Sequence, residues 1–153
     1  MIGLIAVIVI VSQAECVPLT QIDVFGEVPF DTLVTAGMIG TTLRGSCGDP
    51  DQSCRLRDRT GVVYEVTGER IVAKTRPAGW SVELPFGLTG RSYGQIDAAL
   101  NERGIPAEAI QVIIRSGAGS QEVAVCNRSL KLKIFQNTAG RARAVALIPA
   151  DRD

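Results

Sequence analysis

Histidine is absent from the 153 residues, and with it go the usual Ser-His-Asp and Cys-His nucleophile pairs, histidine-bearing zinc sites and the commonest general base. Neither sign of charge is in excess. The 16 basic and 16 acidic residues cancel, at a pI near 6.3, so no global field steers the chain toward nucleic acid or anionic lipid. A partner that reads charge must therefore meet a local patch. No Cys-x-x-Cys occurs among the four cysteines, and no pair of carboxylates stands at a spacing that marks acid–base work. GAGS at 117–120 lacks the Lys-Ser/Thr and the following helix of a phosphate cradle, and reads as a hairpin tip. CGDPDQSC at 47–54 alternates Asp49, Asp51 and Ser53 like an early calcium loop but lacks the turn glycine, and Thr60 stands where a bidentate Glu is needed. No catalytic residue, metal ligand or cofactor is expected. The enzymatic alternative that survives is a small carboxylate- or thiol-dependent enzyme.

A membrane-spanning run is also missing. IGLIAVIVIV at 2–11 is ten residues long, where a crossing helix needs about 20 and a secretory apolar segment about 7–15. Ser12-Gln13-Ala14 follows as a small-x-small site, which predicts a signal peptide over 1–14 cleaved after Ala14. The competing reading is a buried strand rich in Val and Ile. A lipid anchor on Cys16 is disfavoured, because Glu15 and Gln13 precede it instead of small residues. Cleavage leaves Cys16, Cys47, Cys54 and Cys126 in an oxidising, periplasmic or secreted setting. The arginine-heavy usage fits a GC-rich bacterial source. Three pairings are open to four cysteines, and sequence does not choose among them. The preferred set is Cys47–Cys54, closing a short loop through Gly48-Asp49-Pro50, and Cys16–Cys126, tying down the amino-terminal arm.

With 46% apolar residues, positions 15–153 suffice for one domain. Two weak repeats, 28–78 and 84–150, are expected within it. An offset of 72 residues carries Cys54 onto Cys126, Gly68 onto Gly140, Pro77 onto Pro149 and Ala78 onto Ala150. In the second unit Ser92 and Gln95 form a capping box, Ile96, Ala99 and Leu100 an apolar stripe, and Gly104-Ile105-Pro106 a stop. The strand-like runs IQVIIRS, QEVAVCN, LKLKIF and RARAVALI follow, separated by turn residues. The first unit predicts a weak helix after Asp31, interrupted by Gly37 and Gly40, then strands SCRLRD, VVYEV and RIVAKT. WSVEL at 80–84 reads as a linking strand. The expected fold is α+β, two helix-plus-antiparallel-meander units sharing a layered sheet.

LPFGLTGRSYGQIDAALNERGIP, through Gly87, Leu88, Thr89, Gln95, Ile96, Leu100, Gly104 and Pro106, resembles the opener of the SmpA/OmlA (BamE-type) envelope domains. Two such units in one exported chain also resemble the tandem layout of the beta-lactamase inhibitory proteins, whose concave sheet binds an enzyme. The resemblance implies a binding module and not a catalyst.

Alternation along strands places Arg55, Arg57 and Arg59 on one face, and likewise Lys131 with Lys133 and Arg141 with Arg143. If the units share a sheet, these seven residues form a basic face while Leu130, Leu132 and Ile134 line the core. Asp58, Glu65 and Glu69 nearby offer the plainer alternative of a balanced, solvated face. Arginine pairs carboxylates bidentately, so the expected partner is an acidic protein surface in the cell envelope or an exported enzyme. Nucleic acid is not expected. Membrane association is left only to routes other than a transmembrane helix in the mature chain.

Overall fold

Alternating apolar and polar positions build one sheet out of strands from both halves of the chain. The computed structural model describes residues 16–48, 52–79, 83–115 and 118–153. Its strands are β1 (Cys16–Val17), β2 (Cys54–Arg57), β3 (Val63–Thr67), β4 (Arg70–Arg76), β5 (Ile110–Arg115), β6 (Ala118–Val125), β7 (Leu130–Gln136) and β8 (Ala142–Pro149). They form a single eight-stranded mixed sheet in the order β1-β6-β7-β8-β4-β3-β2, with β5 also paired to β6. Only β1 against β6 is parallel. The two halves meet where β4 runs antiparallel to β8, Lys74 opposite Leu147 and Arg76 opposite Val145. Two short α-helices, α1 (Leu19–Ile22) and α2 (Tyr93–Glu102), accompany the sheet, so the protein is mostly β and not an even α+β mixture.

The helix of the second half forms where the capping pattern places it. Gln95 Oε1 accepts the Ser92 backbone N–H at 3.1 Å, and the chain turns out of the helix at Gly104, whose φ is +83°. Ile105 N–H then returns to the Leu100 carbonyl at 3.0 Å, and both side chains are fully buried. The first half departs from expectation. Residues 31–44 make turns and the isolated bridges Leu33–Arg70, Ile39–Leu43 and Arg44–Arg57 in place of a helix. Gly37 and Gly40 explain the loss, because glycine costs a helix about 1 kcal/mol each and Gly40 adopts a φ of +90°. In the expected linker, residues 80–82 of WSVEL lie outside the described residues and Glu83-Leu84 is not strand. The segment 1–14 likewise lies outside them. The 72-residue offset carries β4 onto β8, with Gly68 and Gly140 both at positive φ. It does not carry the cysteines onto matching places, since Cys54 opens β2 whereas Cys126 follows β6.

One apolar core lies under the inner face of the sheet. Leu56, Tyr64, Ile71, Val123, Leu132, Ile134, Val145 and Leu147 point into it from the strands. Ile96 and Leu100 of α2 cover one half, and the loops carrying Ile22, Phe25, Val28, Phe30 and Leu43 cover the other. The loop-covered half is held by polar groups as well as apolar ones. Lys74, 1% exposed, donates to Asp23 Oδ1 at 2.5 Å and to the Val28 carbonyl at 2.9 Å, with its Nζ 5.1 Å from the Phe25 ring centroid. Asp23 Oδ2 in turn accepts the Phe30 N–H at 2.7 Å. Asp58, also buried, accepts the Tyr64 hydroxyl and the Thr60 hydroxyl, each at 2.6 Å, and the backbone N–H groups of Glu27, Thr60 and Val62. Burial pushes its pKa up, but these bonds outweigh it and hold the carboxyl below its ordinary value. Burial, then the bond to Asp58, raises the Tyr64 phenol well above its ordinary range.

Cys16 is bonded to Cys126 and Cys47 to Cys54, the pairing preferred from sequence, which points to an oxidising, extracytoplasmic compartment. No helix among the described residues is long and apolar enough to cross a membrane. Chain-entropy arguments weight the two bridges unequally, because they close sequence separations of 110 and 7 residues. Replacing Cys16 and Cys126 by Ser should cost about 4.8 kcal/mol, and replacing Cys47 and Cys54 about 2.5 kcal/mol, as read by urea unfolding. Asp58 titrates at lower pH in the folded state than in the unfolded one. Its contribution is therefore fully present above about pH 4 and is lost as pH falls through the depressed value. Asp58→Asn should cost about 3 kcal/mol at neutral pH and make the acid limb of the stability profile shallower. An unchanged acid limb would refute this role for Asp58.

Candidate functional site

The outer face of the sheet collects the charged residues that the inner face excludes. Strand register carries one row straight across it: Arg57 opposite Val63, Val63 opposite Thr75, Thr75 opposite Ala146, Ala146 opposite Lys133, and Lys133 opposite Glu122. Arg55 opposite Glu65 begins the neighbouring row, and Lys131 between Ile148 and Ala124 ends it. Arg55, Arg57, Lys131 and Lys133 therefore share one face, with about 19 Å between β2 and β7 at the usual strand spacing. In the middle of it Ala73, Ala146 and Ile148, all buried, form a minor cluster against Phe135.

The remaining basic residues divide. Arg143 reaches this face because the β7–β8 register shifts at Phe135/Gln136, and its guanidinium carbon lies 5.8 Å from the Phe135 ring centroid. Arg141 does not join it. It precedes β8 and donates to the Gly90 carbonyl at 3.0 Å, beside the start of α2. Arg59 is also elsewhere, in the turn after β2, paired with Glu27 at 3.3 Å. Alternation assigned both wrongly because each lies just beyond the end of its strand, where period-two geometry stops.

The lysines are not open to solvent as a bare basic patch requires. Glu122 holds Lys131 at 2.7 Å and stands 4.0 Å from Lys133, and both lysine side chains are 12% exposed. Among the described residues, Arg55, Arg57 and Arg143 are exposed cations of this face. Between β6, β7 and the residues after β8 is a groove of about 200 Å³ lined by Glu122, Lys131, Lys133, Phe135, Arg143 and Asp153. Behind it, on the inner face beneath α2, runs a buried amide chain. Gln136 donates to Gln121 Oε1 at 2.6 Å, and Gln121 donates to Asp97 of α2 at 2.5 Å. A Cβ at Gly119 would collide with the Tyr93 hydroxyl, so glycine there lets α2 close on this end of the sheet. Glu122, Phe135, Gln136 and Asp153 were not singled out from sequence. Phe135 falls on the lysines' face by alternation within β7 and Gln136 on the opposite one, whereas placing Glu122 of β6 beside the lysines depends on register.

Among the described residues no group of three or more His, Cys, Asp or Glu is placed to hold a metal ion. Fold and site together define a disulfide-bonded, mostly β protein with an amphoteric outer sheet face. Comparison with protein-family models, curated proteins and solved structures gives no significant match to the chain.

Glu122 is the charge on which this end of the face balances. Glu122→Gln leaves two largely shielded lysines without their counter-charge and should cost about 3 kcal/mol in urea unfolding, whereas Arg143→Gln, at an exposed site, should cost less than about 0.5 kcal/mol.

Proposed function

We propose that this is a periplasmic or secreted binding protein whose outer sheet face engages an acidic surface on another protein, either an envelope component or an exported enzyme. The observation that carries the proposal is the single register-aligned face spanning both halves, with exposed arginines at its β2 edge and beside Phe135. Exposed arginines supply bidentate carboxylate contacts to such a partner. The likeness of residues 87–106 to the SmpA/OmlA opener points toward the same envelope setting. Both disulfides occupy the chain's thiols, so a thiol-dependent enzyme would require one of them reduced. No observation favours the carboxylate-dependent alternative over binding.

The test uses the oxidised protein as bait against an envelope extract, beside the variant Arg55→Glu/Arg57→Glu/Arg143→Glu. All three sites are exposed, so the variant should keep the wild-type melting temperature. The expected result is a partner held by the wild type at low salt, released between about 50 and 200 mM salt, and not held by the variant. Capture that is indifferent to salt and equal in the variant would overturn the proposal.

A further inference from the structure

Arg76, the last residue of β4, is buried without a counter-ion. Two positions on from Lys74, it points to the same inner, loop-covered side of the sheet and is 4% exposed. Its Nη1 donates to the Thr60 carbonyl, whereas its Nη2 is buried and has no hydrogen-bond partner. Lys74, equally deep, has Asp23 and the Val28 carbonyl. Arg76 is paired with no carboxylate among the described residues. Asp58 is the acid whose charge reaches it, but the Asp58 oxygens already accept the Tyr64 and Thr60 hydroxyls and three backbone N–H groups. Burial accordingly holds the guanidinium below its ordinary pKa, with Asp58 opposing the shift.

Arg76 lines a cavity of about 200 Å³ at this end of the inner layer. Phe25, Val62, Leu84 and Pro85 give it apolar walls, and Thr60 and Glu83 contribute polar ones. An unpaired cation, hydrocarbon surface and one acidic residue thus meet in a single space. Each selects among ligands. A singly charged anion neutralises Arg76, a second negative charge is repelled by Glu83, and the walls favour an apolar body over a bare, hydrated ion.

We infer that this cavity is a binding site for a monocarboxylate carried on a short apolar group, its carboxylate accepting from Arg76 Nη2 and its hydrocarbon lying against Val62, Leu84 and Pro85. A carboxylate is the acceptor whose geometry matches a guanidinium, and the depth of Arg76 keeps water from weakening the pair. Two sources share this chemistry: a free branched-chain acid, and the terminal carboxylate of a peptide that ends in an apolar residue. The cavity is on the inner side of the sheet, so the inference is independent of the binding role proposed for the outer face.

The probes are isovalerate, its neutral twin isovaleramide, and acetyl-glycyl-valine with a free carboxyl terminus, each titrated into the oxidised protein to about 10 mM and followed by NMR. At least one of the two acids should move the Val62 and Leu84 methyl signals and the Arg76 guanidinium signals. Shifts with isovalerate alone assign the free acid, and shifts with the peptide, alone or together with isovalerate, include the chain terminus. Isovaleramide should bind at least about tenfold more weakly than isovalerate. Arg76→Met should abolish the shifts at a melting temperature no lower than that of the wild type, because an apolar side chain removes the unpaired charge. No shift with either acid overturns the inference, as do equal binding of acid and amide and shifts that persist in Arg76→Met. If Arg76→Met does not fold, the wild-type map decides: shifts that avoid Val62, Leu84 and Arg76 overturn the site.

Discussion

The buried ammonium of Lys74 is the constraint around which the first half of the molecule is arranged. It sits on β4 at the seam between the halves, opposite Leu147 on one side and Tyr64 on the other. An isolated charge at that depth would cost several kcal/mol, so the residues around it must supply a counter-charge and acceptors. Asp23 and the Val28 carbonyl do so from a single stretch of chain, and Asp23 also fixes the Phe30 N–H. The loop that follows α1 is thereby pinned to the sheet at the place where α2 covers the other half. Asp58 works beside it in the same way, drawing the Glu27 and Val62 backbone and the Tyr64 hydroxyl to one carboxylate. A helix buries its own backbone polarity; this irregular segment needs side chains to do it.

Because loops and one helix cover the inner face, the outer face keeps its side chains for other purposes. Its charges are not a uniform basic field. Glu122 neutralises the lysines at one end, Glu65 holds Arg152, and the exposed arginines stand at the edges. An amphoteric face of this kind discriminates partners by register as well as by charge, since a like-charged group placed opposite Glu122 or Glu65 is penalised.

Much of the fold was legible in the sequence. Seven of the strand-like runs, the capped helix of the second half and the Cys16–Cys126 and Cys47–Cys54 pairing all coincide with what forms. Most depend on local signals: alternation, turn residues, a capping box, the proximity of Cys47 and Cys54; Cys16–Cys126, 110 residues apart, is the pair those two leave. The failures also have local causes. Residues 31–44 carry glycines that undo a weak helical pattern, and Arg59 sits two residues after β2 and Arg141 one residue before β8. Lys74, with its alternation inside RIVAKT, reads as an ordinary polar position, because its partners lie 51 and 46 residues away.

The sequence by itself determined that histidine chemistry is excluded, that four cysteines can form two bridges, and which residues lie on alternate faces of each strand. Those properties belong to composition or to neighbours a few positions apart. Only the tertiary structure decided that both halves share one sheet, that Arg57 and Lys133 fall in one row, and that Glu122 stands against Lys131 and Lys133. Register and the β7–β8 shift set those relations, and they arise from hydrogen bonding between strands distant in the chain, which no single strand encodes.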